Sequence, residues 1–210
     1  MPSPPEHPQE LPANSGERDS IAAIIELFKS DVDRTLLQSR VPMSVDDRFV
    51  DLGRSQSLVR EFDTARTAQP RPMTDLPHMI RLLALHRIDF IVVGGMAAIA
   101  HGSARFTFDL DVVYSRDPDN VARVAAALAP LHPRLRGAPE SLPFTLDPRT
   151  IMCGLNFTLS TDAGPLDLLG EVTGGGGYQQ LLPHSEPASI FSTTCRVVSL
   201  DTLIRLKRAV

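Results

Sequence analysis

The sequence predicts an α/β (α+β) protein: a mixed β-sheet flanked by helices, with a helical arm in front. Three observations predict it. Short apolar runs bounded by glycine alternate irregularly with helical patterns. Acidic residues recur with period two on one of the strands. A proline-broken segment, Gln69-Pro-Arg-Pro72, separates an N-terminal helical pattern from the rest.

Residues 1–18 are rich in Pro, Ser and Glu with almost no apolar surface to bury, and read as a disordered tail. Ile21, Ile24, Ile25 and Phe28 recur at helical spacing behind Asp19 and Ser20. A second helix begins after Ser44, where Ser-Val-Asp-Asp makes an approximate capping box, and runs to about Thr67. Residues 19–70 are therefore expected to form the arm, and residues 71–210 the main domain.

Thr74-Asp75 caps the next helix, whose buried face is Leu76, Met79, Ile80 and Leu83. The run Ile88–Val93 reads as a buried strand ending at Gly94-Gly95, and Met96–His101 as a short Ala-rich helix. Arg105–Tyr114 reads as a strand, with Thr107, Asp109, Asp111 and Val113 on one face and Phe106, Phe108, Leu110 and Val112 on the other. Asp117-Pro118 opens a helix to Ala129, and residues 130–148 are proline-rich and irregular. Gly154–Ser160 and Pro165–Val172 make a hairpin about Asp162-Ala163-Gly164. Gly174–Gly177 is a flexible loop, Cys195–Val198 a short strand, and Ser199 caps a last helix containing Lys207.

Composition narrows the function classes. In a chain of 210 residues, 42% apolar and 22% charged residues are those of a globular domain with a real core. A formal net charge of −4 gives no general basic footprint for nucleic acid, although a local basic groove stays open. No apolar run is long enough to span a membrane, and the start lacks the basic and apolar stretches of a signal peptide. Cys153 and Cys195 are far apart and suit reduced thiols. A cytoplasmic protein is expected.

The chemistry concentrates between Val93 and Val112. Two glycines that end a strand and open a helix let a phosphate approach the backbone closely. Asp109-Leu-Asp111 follows on the next strand, and alternation sends both carboxylates to one side. Oxygen ligands of this kind suit Mg²⁺ or Mn²⁺ beside substrate phosphates. Each feature alone has an ordinary reading: a D-x-D pair as a solvated face, a Gly-Gly pair as a turn. Their order on strand, helix and strand, with an apolar opposite face, favours the site.

This stretch resembles the G-G…D-x-D signature of the polymerase-beta-type nucleotidyltransferase superfamily. The finer pattern G-G-x-A-x-x-x-H-G-x-x-R-x-T-x-D-x-D, from Gly94 to Asp111, is similar to the branch of AbiEii-type toxins of bacterial toxin–antitoxin systems. The resemblance covers residues 75–207, most closely 90–114. It implies a nucleotidyltransferase domain that binds ATP or another nucleoside triphosphate. It also implies a third metal carboxylate on a later strand, which Asp167 in Pro165-Leu-Asp-Leu-Leu169 matches, with Glu171 as fallback. Ser199-Leu-Asp-Thr-Leu-Ile-Arg-Leu-Lys207 matches the branch's lysine helix, making Lys207 a counter-charge for triphosphate.

Gly94, Gly95, Ser103, Arg105 and Thr107 are the remaining candidates for nucleotide binding, whereas His101 reads as structural. The expected reaction moves a nucleoside monophosphate to an acceptor hydroxyl. By resemblance that acceptor is an RNA 3′ end such as that of tRNA, with an antitoxin as partner. Transfer to a protein or to a small molecule such as an antibiotic, and a degenerate interaction module, are the rival readings. Members of the branch carry further helical sequence after the lysine helix, whereas this chain stops at Val210, so part of the acceptor-binding or helical cap region is expected to be missing. The segment Asp31–Leu37 resembles the N-terminal arms of some bacterial nucleotidyltransferases.

Overall fold

The structure, a computed structural model, describes residues 42–66 and 73–209 apart from Ala104, Phe106 and Glu140. The tail over 1–18, the helix expected from Asp19 and the Gln69–Pro72 break lie outside the described residues. Helix α1 spans Val45–Arg66. Ser44 caps its start as expected: Asp47 N–H donates to Ser44 Oγ at 3.1 Å, while the second contact runs from the Ser44 hydroxyl to the Asp47 carboxylate at 2.7 Å instead of from the cap N–H.

Helix α2 (Leu76–Leu85) begins at Asp75, which accepts the His78 N–H, and buries the four residues that its periodicity picks out. Strand β1 (Phe90–Val92) leads into α3 (Gly94–Ala100), and β2 spans Leu110–Tyr114. Helix α4 (Pro118–Leu128) starts behind its cap Asp117. Then come β3 (Arg134–Leu135), α5 (Pro148–Cys153), β4 (Asn156–Thr161) and β5 (Gly164–Leu169). A small hairpin, β6 (Glu171–Val172) with β7 (Gly176–Gly177), precedes α6 (Tyr178–Leu181). Strands β8 (Ser185–Ile190) and β9 (Thr193–Val198) and helix α7 (Leu200–Arg208) complete the chain.

Seven strands form one mixed sheet in the order β3-β4-β5-β2-β1-β9-β8. β2 pairs parallel with β5 and antiparallel with β1, while β1 pairs parallel with β9. Helices flank the sheet, with α2 against β9 and α5 against α4. The first turns of α1 cover the β8 edge. Phe49 and Leu52 are buried there, the Phe49 and Phe191 rings lie 5.3 Å apart, and Asp46 accepts from Ser189 Oγ and Ser192 N–H. Covering an edge in this way removes a template for unwanted strand pairing. Among the described residues no helix is long and apolar enough to cross a membrane.

Several elements differ from expectation, among them the helices α5 and α6, which were not foreseen. The strand expected from Arg105 starts only at Leu110, and just before it the Phe108 carbonyl accepts the Thr74 N–H at 2.9 Å. Arg134–Leu135, inside the proline-rich stretch, adds an edge strand to β4. Gly176-Gly177, expected as a loop, pairs with Glu171-Val172. Ser185–Ile190 forms an edge strand despite Pro187, a position where the missing N–H is tolerated.

Candidate metal and phosphate site

The site is built on adjacent strands whose register is fixed by their apolar faces. Asp111 on β2 stands directly opposite Asp167 on β5. Asp109 sits in the bend just before β2. One oxygen from each of Asp109, Asp111 and Asp167 lies within 4.8 Å of the others, a group that can hold a metal ion. The three are half-buried rather than solvated. An all-oxygen, all-carboxylate set of this geometry fits a hard divalent cation.

Neighbours fix each carboxylate. Thr107, itself buried, donates from Oγ1 to the Asp109 carboxylate at 3.2 Å, which is the contact expected from their shared side. The Gly95 N–H points at Asp111 Oδ2 at 3.4 Å. Gly94 has φ +62°, and a Cβ there would overlap the Asp111 carboxyl group, while one on Gly95 would overlap Thr107. Both positions therefore require glycine for close approach to the acidic strand, a stricter reason than turn formation.

Burial first, and then the charges of Asp109 and Asp167, push the Asp111 carboxyl up to about 6. Burial also raises Asp167, and the neighbouring Arg136 guanidinium opposes that shift. Arg136 ion-pairs with the Asp167 carboxylate and lies 3.7 Å from Asp109 Oδ2. The Arg136 Nε is buried without a hydrogen-bond partner among the described residues.

A cleft of about 560 Å³ opens beside Asp111 and is lined by Gly94, Asn156, Glu171, Leu203 and Lys207, among others. Lys207 is exposed on the last turn of α7, and its charge favours the ionised form of Asp111. The structure thus brings Gly94, Asp111 and Lys207 to one cleft, with Gly95 and Thr107 behind them. Ser103 and Arg105 stand on the segment between α3 and β2, Arg105 exposed, and neither lines that cleft. His101 is structural: its Nε2 donates to the Val198 carbonyl at 2.8 Å and ties α3 to β9. Glu171 lines the cleft but lies outside the three-carboxylate group.

Sequence reasoning missed two residues. Arg136 follows β3 in a stretch read as irregular, and its approach to Asp167 depends on β3–β4 pairing. Asn156 lines the cleft while its side chain accepts the Gly170 and Glu171 N–H groups and donates to the Glu171 carbonyl. Its position at the start of an expected strand was the available signal. No protein-family profile matches this chain, and no curated protein matches it.

Proposed function

We propose that the chain is a divalent-cation-dependent nucleotidyltransferase that moves a nucleoside monophosphate from a nucleoside triphosphate to an acceptor hydroxyl. The observation that carries the reading is the meeting of Asp109, Asp111 and Asp167 beside a cleft that Gly94 and Lys207 also line. The G-G…D-x-D spacing of the same residues and the resemblance it carries also support it. The RNA 3′ end and the toxin role rest on that resemblance alone.

Asp109, Asp111 and Asp167 would hold the cation, Mg²⁺ or Mn²⁺. Neutralisation of charge at the phosphoryl oxygens is what such an ion supplies when bound. Gly94 and Gly95 leave room for phosphate beside Asp111, and Lys207 offsets triphosphate charge from the α7 side. Asp167 either shares that cation or accepts the proton of the acceptor hydroxyl as general base. The acceptor oxygen then bonds to the α-phosphorus as the bond to the bridging oxygen breaks, and pyrophosphate leaves with the electron pair. Arg136, paired with Asp167, holds that carboxylate in place.

Incubation of the protein with α-labelled nucleoside triphosphates, Mg²⁺ and separate RNA, protein and small-molecule fractions tests the reading. Label should enter one fraction, and Asp109→Ala should lower the rate by about 10²-fold or more. Equal labelling by the Asp109→Ala protein contradicts the assignment of the site.

A further inference from the structure

Arg116 and Arg136 are both half-buried, but their partners differ in kind. Arg116 donates to the Tyr114 hydroxyl and to the carbonyls of Ile151, Met152 and Gly154, neutral groups that fix it at the end of α5. The Arg136 guanidinium donates to Asp167, and its other terminal nitrogen lies 3.7 Å from Asp109 Oδ2. Its Nε is buried and unpartnered among the described residues. Two of the three carboxylates that can hold a cation are therefore the polar partners of this side chain. An arginine with a purely structural task has the surroundings of Arg116.

Strand pairing accounts for the reach. Beyond the two residues of β3, the Arg136 N–H donates to the Thr158 carbonyl at 2.9 Å, and Thr158 stands opposite Asp167 on β5. Two strand spacings, about 10 Å, separate the backbones of Arg136 and Asp167, a span that an arginine and a carboxylate close between them. Asp111 forms no ion pair among the described residues. The guanidinium thus bridges the outer members of the group and leaves Asp111 to the cleft.

A guanidinium is a permanent positive charge. At this place it relieves the repulsion among carboxylates whose oxygens lie within 4.8 Å of one another. For the same reason it repels a divalent ion that draws on those oxygens. The two contacts are unequal: Asp167 is hydrogen-bonded, whereas Asp109 is held only at 3.7 Å.

We propose that Arg136 is a built-in competitor of the cation, bridging Asp109 and Asp167 in the cation-free protein and yielding Asp109 when a divalent ion binds, while Asp167 stays paired. The proposal rests on the cation-site part of the nucleotidyl-transfer reading. Arg136 is then a positioning residue that sets how tightly the site takes a free cation. A neutral donor in its place makes the site tighter. A task confined to holding Asp167 predicts a site no tighter than wild type.

Mn²⁺ titration of the whole chain at low ionic strength, followed by electron paramagnetic resonance, separates the two. Arg136→Gln keeps a donor for Asp167 and removes the charge, and Arg136→Lys keeps the charge. Arg136→Gln should bind Mn²⁺ about tenfold more tightly than wild type, and Arg136→Lys should stay close to wild type. Added salt should narrow the gap between Arg136→Gln and wild type, as it does for charge repulsion at a partly exposed site. Nuclear magnetic resonance gives a second reading on the wild-type protein. The Arg136 side-chain nitrogen signals, identified by their loss in Arg136→Lys, should move on saturation with Mg²⁺. The proposal is overturned if a folded Arg136→Gln protein binds Mn²⁺ no more tightly than wild type, or if the Arg136 signals stay in place when Mg²⁺ binds. Should Arg136→Gln not fold, the signals alone decide. Wild type and both variants all leaving Mn²⁺ free overturns the cation site itself, and the competitor with it.

Discussion

The two faces of β2 and β5 solve opposite problems with neighbouring residues. On one face Leu110, Val112, Leu166 and Leu168 are at most 1% exposed and pair across the ladder, Leu110 with Leu166 and Val112 with Leu168. On the other, Asp111 and Asp167 are placed side by side by the same register. Like charges directly opposite on adjacent strands destabilise a sheet. The apolar face is what makes the acidic face tolerable. Burial and the two acidic neighbours raise the Asp111 carboxyl to about 6, the cost of that setting.

Breaking the apolar face should have the larger effect on stability. Leu166→Ala removes a fully buried side chain between β2 and β4, and should cost about 2–5 kcal/mol in denaturant unfolding. Cation binding would be lost only in proportion to unfolding. A change under 1 kcal/mol would mean that the strand pair is not held by its core face.

Neutralising the acidic face should act in the opposite direction. The Asp111 carboxyl is raised from 3.8 to about 6 in the folded chain, so the unfolded state ionises first as pH rises. Its contribution to stability is therefore full below about pH 4 and is lost as pH climbs through 6. Asp111→Asn keeps an acceptor for the Gly95 N–H and carries no charge. In cation-free buffer at pH 7 it should stabilise the protein by on the order of 2 kcal/mol, less after solvent screening. The difference from wild type should vanish near pH 4. A variant less stable than wild type at pH 7 would show that the pair is not under electrostatic strain. Cation affinity of the wild-type protein should rise with pH through about 6, since Asp111 must be ionised to bind.

Thr107→Val gives the smallest effect and sharpens the comparison. It removes the hydroxyl that orients Asp109 while keeping the buried volume, and should cost about 0.5–1.5 kcal/mol. Its effect on cation affinity should exceed its effect on stability. The reverse result would make Thr107 a packing residue.

The comparison also explains what the sequence made legible. Period-two alternation in Asp109–Val113 exposes the acidic side directly, and the h-D-h pattern around Asp167 does the same for β5. Gly94 and Gly95 were readable as a close-approach pair, although overlap with Asp111 and Thr107 is a property of the folded site. Arg136 was not readable, since its meeting with Asp167 is set by pairing across β3, β4 and β5. Arg105 was placed on an extended strand by alternation, but the strand begins only at Leu110. Strand β8 was hidden because an edge strand needs little apolar patterning, and Pro187 disguised it further.

Mn²⁺ binding followed by electron paramagnetic resonance, with and without a nucleoside triphosphate analogue, tests the central claim most directly. The wild-type protein should bind Mn²⁺ and bind it more tightly with the analogue present. Asp111→Asn and Asp167→Asn should each lose that binding while remaining folded. Wild-type protein that leaves Mn²⁺ free, or variants that bind it as tightly as wild type, would contradict the assignment of Asp109, Asp111 and Asp167 as a cation site.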